Sequence, residues 1–327
     1  MSTALVTGGA GFVGRHLVEA LRARGVHVRV FDLKAVTGLD MAVGSVEDPS
    51  ALTAAMSGVD IVFHLAGDAQ LWAREQSRFD RINFIGTKNV INAAARSGVR
   101  RLVHCSSLTT LVGRRTPVGH SRADETVLLS ADDMLGAYPR SKVLAEEAVL
   151  ASASAGLDAV IAIPTEPLGP GDEGLTPPTR MIVDLLNRRI PATIDCMLNF
   201  VSVRSLADGF IAGAERGRKG ERYLLGGENV SMARLLAELN RQTGVVMPKL
   251  VLPYAVALAA GVVDTRLVAA LTGNPPKAPL TGVRLAGRRV SFSSAKAERE
   301  LGWKPEPFEA AIAAALAWLR ERGLIQF

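Results

Sequence analysis

Ala4-Leu5-Val6-Thr7-Gly8-Gly9-Ala10-Gly11-Phe12-Val13-Gly14 is the stretch whose reading decides the fold. An apolar run suited to a strand passes into glycines at 8, 11 and 14, and then into a helix-like segment. Gly8 permits a tight turn, Gly11 lets the backbone approach a pyrophosphate, and Gly14 lets the helix pack close on the strand. The N–H groups and dipole at the helix start would hold the anion. A glycine triplet can be an ordinary turn, but its place after a strand and before a helix favours dinucleotide binding. Asp32 ends the next apolar run, where an acidic side chain accepts the ribose hydroxyl hydrogens and repels a 2′-phosphate. NAD is therefore expected in preference to NADP, with Lys34 and Arg15 as nearby cations that weaken the preference.

Outward from this turn, strands and helices alternate. Thr3–Thr7, Val26–Phe31, Asp60–Leu65, Arg101–Cys105 and Ala159–Ile163 read as strands; His16–Arg24, Pro49–Met56, Asn83–Ala95 and Ser141–Ala153 read as helices. That alternation predicts a parallel sheet covered on both faces, which binds ligands at the carboxyl ends of its strands. After Ile163, Pro164, Pro167, Pro170, Pro177 and Pro178 crowd together with Gly169, Gly171 and Gly174, predicting a loop and a domain crossing. Further strands are expected at Phe200–Val203 and Arg222–Leu225, and helices at Met232–Thr243, Tyr254–Leu271 and Pro307–Arg322, with Pro307 in the first turn and Gly323 closing the last. The expected fold class is α/β, a Rossmann-type doubly wound parallel sheet with a smaller C-terminal substrate lobe. Residues 1–165 would form the cofactor domain, with 199–230 returning to it; residues 166–198 and 231–327 would form the substrate lobe.

Tyr138-Pro139-Arg140-Ser141-Lys142 is the second strong signal, in a chain with three tyrosines. A tyrosine four residues before a lysine at a helix start puts both side chains on one face. A phenol with a pKa near 10 is a poor base at neutral pH, and a nearby ammonium and a cationic nicotinamide would lower it. Tyr138 could then take a proton from an alcohol or return one to a ketone. Ser107, at the end of the strand Arg101–Cys105, could hydrogen-bond the reacting oxygen, with Thr109 as second choice.

Taken together these residues resemble the extended short-chain dehydrogenase/reductase superfamily, of the NAD-dependent epimerase/dehydratase type. The resemblance rests on the glycine turn, Asp32, His64-Leu65-Ala66-Gly67, Asn83 with Gly86-Thr87, Ser106-Ser107, Tyr138 with Lys142, and Gly169-Pro170-Gly171-Asp172. Ser294-Ala295-Lys296 and Leu301-Gly302-Trp303-Lys304-Pro305 match the family's C-terminal signature. Within the superfamily the chain looks closest to the dihydroflavonol reductase and 3β-hydroxysteroid dehydrogenase branch, and to hopanoid-associated sugar epimerase-like proteins. The resemblance implies a cofactor site of Gly8, Gly11, Phe12, Val13, Gly14, Asp32, Leu65, Ala66, Gly67, Asn83, Tyr138, Lys142 and Pro164. It implies catalysis by Ser107, Tyr138 and Lys142, the last also binding the nicotinamide ribose, and a homodimer formed through two helices, one of them carrying the tyrosine. Three departures stand out. Ser45 occupies an adenine-side turn that often holds an Asp. Leu198-Asn199 stands where nucleotide-sugar members carry an Arg. The acidic pair of sugar 4,6-dehydratases is absent after Ser107.

The implied reaction is NAD-dependent, reversible hydride transfer at a secondary alcohol or ketone carbon of a small molecule, lipophilic or sugar-derived. A sugar epimerase with tightly bound NAD would use the same residues. A non-catalytic dinucleotide sensor is disfavoured by the intact Ser107, Tyr138 and Lys142.

Composition narrows the field further. In 327 residues, 48% apolar and 21% charged content excludes disorder, and 5% aromatics leave the core to Ala, Val, Leu and Ile. No histidine is spaced with another or with Cys105 or Cys196 as a metal ligand, so no metal is expected. His64 and His104 read as satisfied core or cleft residues. Two cysteines suit a reducing cytosol, and the Met1-Ser2-Thr3-Ala4 start carries no signal-peptide pattern, so a cytoplasmic protein is expected. The longest apolar run, Val251–Val263, is too short to span a bilayer, which needs about 20 residues. Leu252–Leu271 reads first as a buried core helix, ahead of a lid or a helix on a membrane surface, because its apolar residues run nearly all round. The net charge of +6 is read as spread along the chain, without the basic block of a nucleic-acid binder.

Overall fold

The structure, a computed structural model, describes residues 3–326; the reading of the Met1-Ser2 start lies outside them. Seven β-branched and apolar runs form one sheet in which every pairing is parallel. Its spatial order is Arg222–Leu225, Ala159–Pro164, Arg101–Cys105, Ile61–His64, Thr3–Thr7, His27–Asp32, Asp40–Val43. The order reverses between Thr3–Thr7 and Ile61–His64, which makes their carboxyl ends the topological switch point where such sheets open a crevice. Register aligns Thr7 with His64 and with Phe31, so the glycine turn and Leu65-Ala66-Gly67 emerge side by side there.

Alternate residues along each strand serve opposite faces. Leu5, Leu102 and Ile161 join one core under the helices Pro49–Ala55, Gly86–Arg96 and Ala137–Ser154. Val6, Val103 and Val160 join the other under Phe12–Ala23 and Val203–Arg216. A third core lies in the outer lobe, where the helices Pro177–Leu186, Met232–Thr243 and Phe308–Glu321 cover a small sheet of Glu228–Ser231, Met197–Ser202 and Glu166–Leu168. Its centre is a stacked pair, Phe200 and Phe308, with ring centroids 5.4 Å apart. Burying a side chain of that size contributes about 1.5–3 kcal/mol.

Several expectations change. Pro177 and Pro178 begin a helix, since a missing N–H costs nothing in a first turn. Pro307 is the residue before the last helix and not its first turn. Of the strands in 199–230, only Arg222–Leu225 joins the central sheet. Ala295–Leu301 and Trp303 pack on the cofactor body: Trp303 lies in the core under Val203–Arg216, and its Nε1 donates to the Ser205 carbonyl at 2.7 Å. The strand Asp40–Val43 escapes a reading by hydrophobicity because it is a four-residue, half-exposed sheet edge.

The largest correction concerns the apolar helix. Tyr254–Thr272 is continuous over 19 residues with mean hydropathy 1.6, and it is the one helix among the described residues that is long and apolar enough to cross a membrane. Only 17% of its apolar window is buried, so it is not a core helix. Its sequence is apolar on every side, but only Ala257, Gly261 and Ala269 face the protein.

Candidate active site

The glycine turn sits at the switch point. Gly8 has φ 71°, donates to the Phe31 carbonyl at 2.8 Å, and leaves no room for a side chain, because a Cβ would lie 2.7 Å from the Ala66 nitrogen. A Cβ on Gly14 would collide with the Gly8 carbonyl, so this glycine sets how closely the helix Phe12–Ala23 meets the strand. Gly11 differs: its missing Cβ would touch only the Gly8 oxygen, at 3.2 Å, and otherwise faces open space. Gly11 also caps the helix without any side-chain acceptor, leaving first-turn N–H groups to an anion. Phe12 and Val13 follow it, half-buried. These are the features a dinucleotide pyrophosphate requires, so the residues present fit NAD.

Asp32 ends its strand with Oδ2 accepting from Ala10 N at 3.0 Å and Oδ1 from Leu33 N at 2.7 Å. Each oxygen keeps a lone pair for a ribose hydroxyl while the carboxylate braces the glycine turn. Arg15, expected near Asp32, is turned away to the Gly171 carbonyl and to Glu173, 3.4 Å distant. His16 Nε2 donates to the Pro170 carbonyl at 2.9 Å. Arg15 and His16 thus latch the loop after Pro164 onto the cofactor helix. Sequence reasoning missed that role, because the partners lie more than 150 residues away. Asp48 caps the helix Pro49–Ala55 by accepting from Ser50 N and Ala51 N, and Ser45 Oγ accepts from Glu47 N.

Leu65, Ala66 and Gly67 form the facing lip of the crevice. Leu65 N donates to the Thr7 carbonyl at 3.1 Å, and a Cβ on Gly67 would lie 3.0 Å from Asn83 Oδ1. Asn83 is 1% exposed, in a widened turn leading into the helix Gly86–Arg96. It accepts from Asp68 N at 2.7 Å and donates to the Asp68 carbonyl and to Ser141 Oγ, both at 3.0 Å. Ser141 Oγ in turn donates to the Tyr138 carbonyl at 2.8 Å. Asn83 therefore ties the crevice lip to the helix that carries the tyrosine.

Tyr138 and Lys142 lie one turn apart at the start of the helix Ala137–Ser154, both about nine-tenths buried. Phe79 packs on the tyrosine ring, with centroids 5.9 Å apart. Lys142 Nζ donates to the Cys105 carbonyl at 2.7 Å, beside the strand end that leads to Ser107. Burial pushes the Tyr138 phenol above its ordinary value, and a hydrogen bond with Ser107 draws it part of the way back. Burial likewise lowers Lys142. The protein alone therefore does not supply the depressed phenol expected from the ammonium: desolvation is the largest influence on it, and the Ser107 hydroxyl is what lowers it. Ser107 Oγ accepts from Thr109 N at 3.3 Å and Thr109 Oγ1 at 3.1 Å, so the second-choice hydroxyl orients the first. Pro164 ends its strand opposite Leu225.

Two buried networks stand behind the site. Thr87 Oγ1 donates to the Asn83 carbonyl at 2.6 Å, so His64 Nε2, 2.9 Å from that hydroxyl, is the protonated nitrogen. His64 Nδ1 then accepts from Thr7 Oγ1 at 2.8 Å, and burial holds the ring neutral with a pKa of about 3. His64 is satisfied as expected. His104, 5.4 Å from it, has no partner on either ring nitrogen and is also held neutral by burial. The second network centres on Glu146, which accepts from Ser106 and Thr110 and pairs with Arg222 at 2.9 Å. Both thiols are free and raised by burial, Cys105 to about 11 and Cys196 to about 12. Among the described residues, no cluster of three His, Cys, Asp or Glu could hold a metal.

The C-terminal signature is structural. Ser294 Oγ bridges Gly226 N and O at 2.9 Å each, and Lys296 Nζ binds Glu221 at 2.7 Å and the Arg222 carbonyl at 2.8 Å.

Comparison with known proteins agrees with this geometry. The model of the NAD dependent epimerase/dehydratase family matches residues 4–226. The chain is 33% identical to the putative dihydroflavonol 4-reductase of Synechocystis sp. (strain ATCC 27184 / PCC 6803 / Kazusa), over 98% of this chain and 95% of that protein. It is 33% identical to sterol demethylase protein B of Methylococcus capsulatus (strain ATCC 33009 / NCIMB 11132 / Bath), over 99% of this chain and all of that protein. The crystal structure of gox2253 is similar with a TM-score of 0.86 and 33% identity, each chain covered completely.

Proposed function

The chain belongs to the NAD dependent epimerase/dehydratase family, and on that premise we propose that it is a reductase or dehydrogenase acting at a secondary alcohol or ketone carbon of a lipophilic small molecule. The observation that carries the reaction is the buried triad at the switch point: Tyr138 and Lys142 on one helical turn, with Ser107 bonded to the phenol.

NAD supplies the hydride acceptor or donor when bound, and the chain's own residues do the rest. The open face of Gly11 and the first-turn N–H groups hold the pyrophosphate, and Asp32 takes the adenosine ribose. Lys142 has three donors and spends one on Cys105, leaving others for the nicotinamide ribose. Tyr138 Oη takes the proton from the substrate alcohol, or returns it to a ketone oxygen. Ser107 Oγ hydrogen-bonds that oxygen. Tyr138 is 8% exposed, so its proton moves in a site from which water is largely excluded.

Two features support a lipophilic substrate over a nucleotide sugar. Leu198-Asn199 offers no guanidinium to a diphosphate, since Asn199 is committed to Gly227 and Asn229. One relative is named for a dihydroflavonol and another for a sterol. The outer lobe also holds a cavity of about 380 Å³, lined by Val118, Ile194, Val251, Leu252 and Tyr254 together with the paired Asp195 and Arg289, with Tyr138 not on its wall. We further propose a cytosolic enzyme, in keeping with its two free thiols, that dimerises through the neighbouring helices Gly86–Arg96 and Ala137–Ser154.

Tyr138→Phe tests the reading. NAD binding should persist while turnover falls by about a hundredfold or more, because the proton carrier is lost. Turnover within a factor of about two of the unmodified enzyme would exclude the mechanism. Turnover without added cofactor, with NAD retained through purification, would identify an epimerase instead.

A further inference from the structure

The helix Tyr254–Thr272 turns its small residues inward and its large ones out. Ala257, Gly261 and Ala269 face the protein, and a Cβ on Gly261 would sit 3.2 Å from Val283 Cγ2, so this helix lies close against Leu280–Ala286. Val256, Val263, Leu267 and Leu271 are 51%, 49%, 57% and 86% exposed. Their spacing of seven, four and four puts them on one face. Leu250 and Val251, on the approach to the helix, are exposed as well. A contiguous apolar face of this kind marks a docking surface.

Charge identifies what docks there. Residues 244–289 hold Lys249, Arg266, Lys277, Arg284, Arg288 and Arg289 against the single acid Asp264, a net charge of +5 for the segment; Lys249, Arg266 and Lys277 are exposed, while Arg289 pairs with Asp195 at 2.7 Å. Asp264 is occupied in accepting from Ala278 N at 2.7 Å. Arg74 adds a further cation against Gly273, just past the helix end. A second copy of this face would set cations against cations. An anionic bilayer offers both complements, head groups for the lysines and arginines and acyl chains for the leucines. A spanning position is ruled out, because the inward side is packed on protein and Arg266 lies mid-helix.

We infer that this lobe docks on an anionic membrane surface, with Tyr254–Thr272 lying in the plane of the interface and Leu267 and Leu271 inserted. The cavity of about 380 Å³ begins where the helix does, at Val251, Leu252, Pro253 and Tyr254. Gly287, also on its wall, follows the helix Leu280–Ala286, whose Thr281 packs on Gly136, two residues before Tyr138. The docking does not depend on the proposed reaction, and its test reads no turnover.

The test is flotation of the full chain, with NAD present, on vesicles of phosphatidylglycerol mixed with phosphatidylcholine and on phosphatidylcholine alone. The chain should float with the anionic vesicles only. About 1 M salt should release much of it, since the Debye length falls to ~3 Å. Leu267→Glu/Leu271→Glu, both at exposed positions, should weaken binding about a hundredfold with NAD binding unchanged. Lys249→Glu/Lys277→Glu should weaken it independently. Failure to float with anionic vesicles, equal binding to phosphatidylcholine alone, or binding unchanged in the leucine variant would each overturn the inference. Assemblies that the leucine variant dissociates, without vesicle binding, would assign the surface to a second copy and overturn it too.

Discussion

At the scale of the residue, Tyr138 shows how burial and chemistry oppose each other. Its spacing from Lys142 is legible in the sequence, as is the need for a base. What spacing could not convey is that desolvation pushes the phenol above its usual range of about 10. The sign of the pH dependence follows. Alcohol oxidation needs the phenolate, so its kcat/KM should rise as pH climbs from about 7 to about 10, while ketone reduction, which needs the phenol, should stay level over that range because the raised phenol remains protonated. Steady-state profiles in both directions check this, and an oxidation rate that falls over that range would remove Tyr138 as the base. Asp32 was also legible, but its hydrogen bond from Ala10 was not, since Ala10 meets it only after the strand and turn have formed.

At the scale of the element, the helix Ala137–Ser154 links the site to its scaffold. Glu146, one turn beyond Lys142, forms a buried pair with Arg222 on the last strand of the central sheet. Both side chains are under a tenth exposed, 7% and 8%. Removing one partner from such a pair strands the other charge and costs about 3–5 kcal/mol. Glu146→Ala should therefore lower the unfolding free energy read from denaturant titration by that much, and Glu146→Leu with Arg222→Met should recover most of the loss. A loss below about 1 kcal/mol would show that the pair carries little stability. Helix and strand existence was readable from apolar periodicity in most cases, and Met232–Thr243 matches its expected bounds. The short strands of the outer lobe were not readable. Three residues such as Glu166–Leu168 carry no period and exist only because Met197–Ser202 lies beside them.

At the scale of the whole molecule, NAD bridges pieces that are distant in the chain. The glycine turn, the Leu65–Gly67 lip and the tyrosine helix meet only in the folded state, and the Arg15 and His16 latch closes the loop after Pro164 over the cofactor helix. A ligand that binds only this assembled state stabilises it, by about 2.7 kcal/mol at a hundredfold excess over Kd. NAD should thus raise the melting temperature by several degrees, and NADP by less, because Asp32 would face the 2′-phosphate; greater protection by NADP would refute the role given to Asp32. The sequence by itself determined the doubly wound sheet, the dinucleotide turn and the Tyr138–Lys142 pair, because each is written in local spacing that a strand or helix converts directly into geometry. Only the tertiary structure decided which polar groups are satisfied and that Tyr254–Thr272 stands exposed. A helix apolar on every side reads the same whether it is buried or bare, and only the elements packed against it settle which face, if any, is covered.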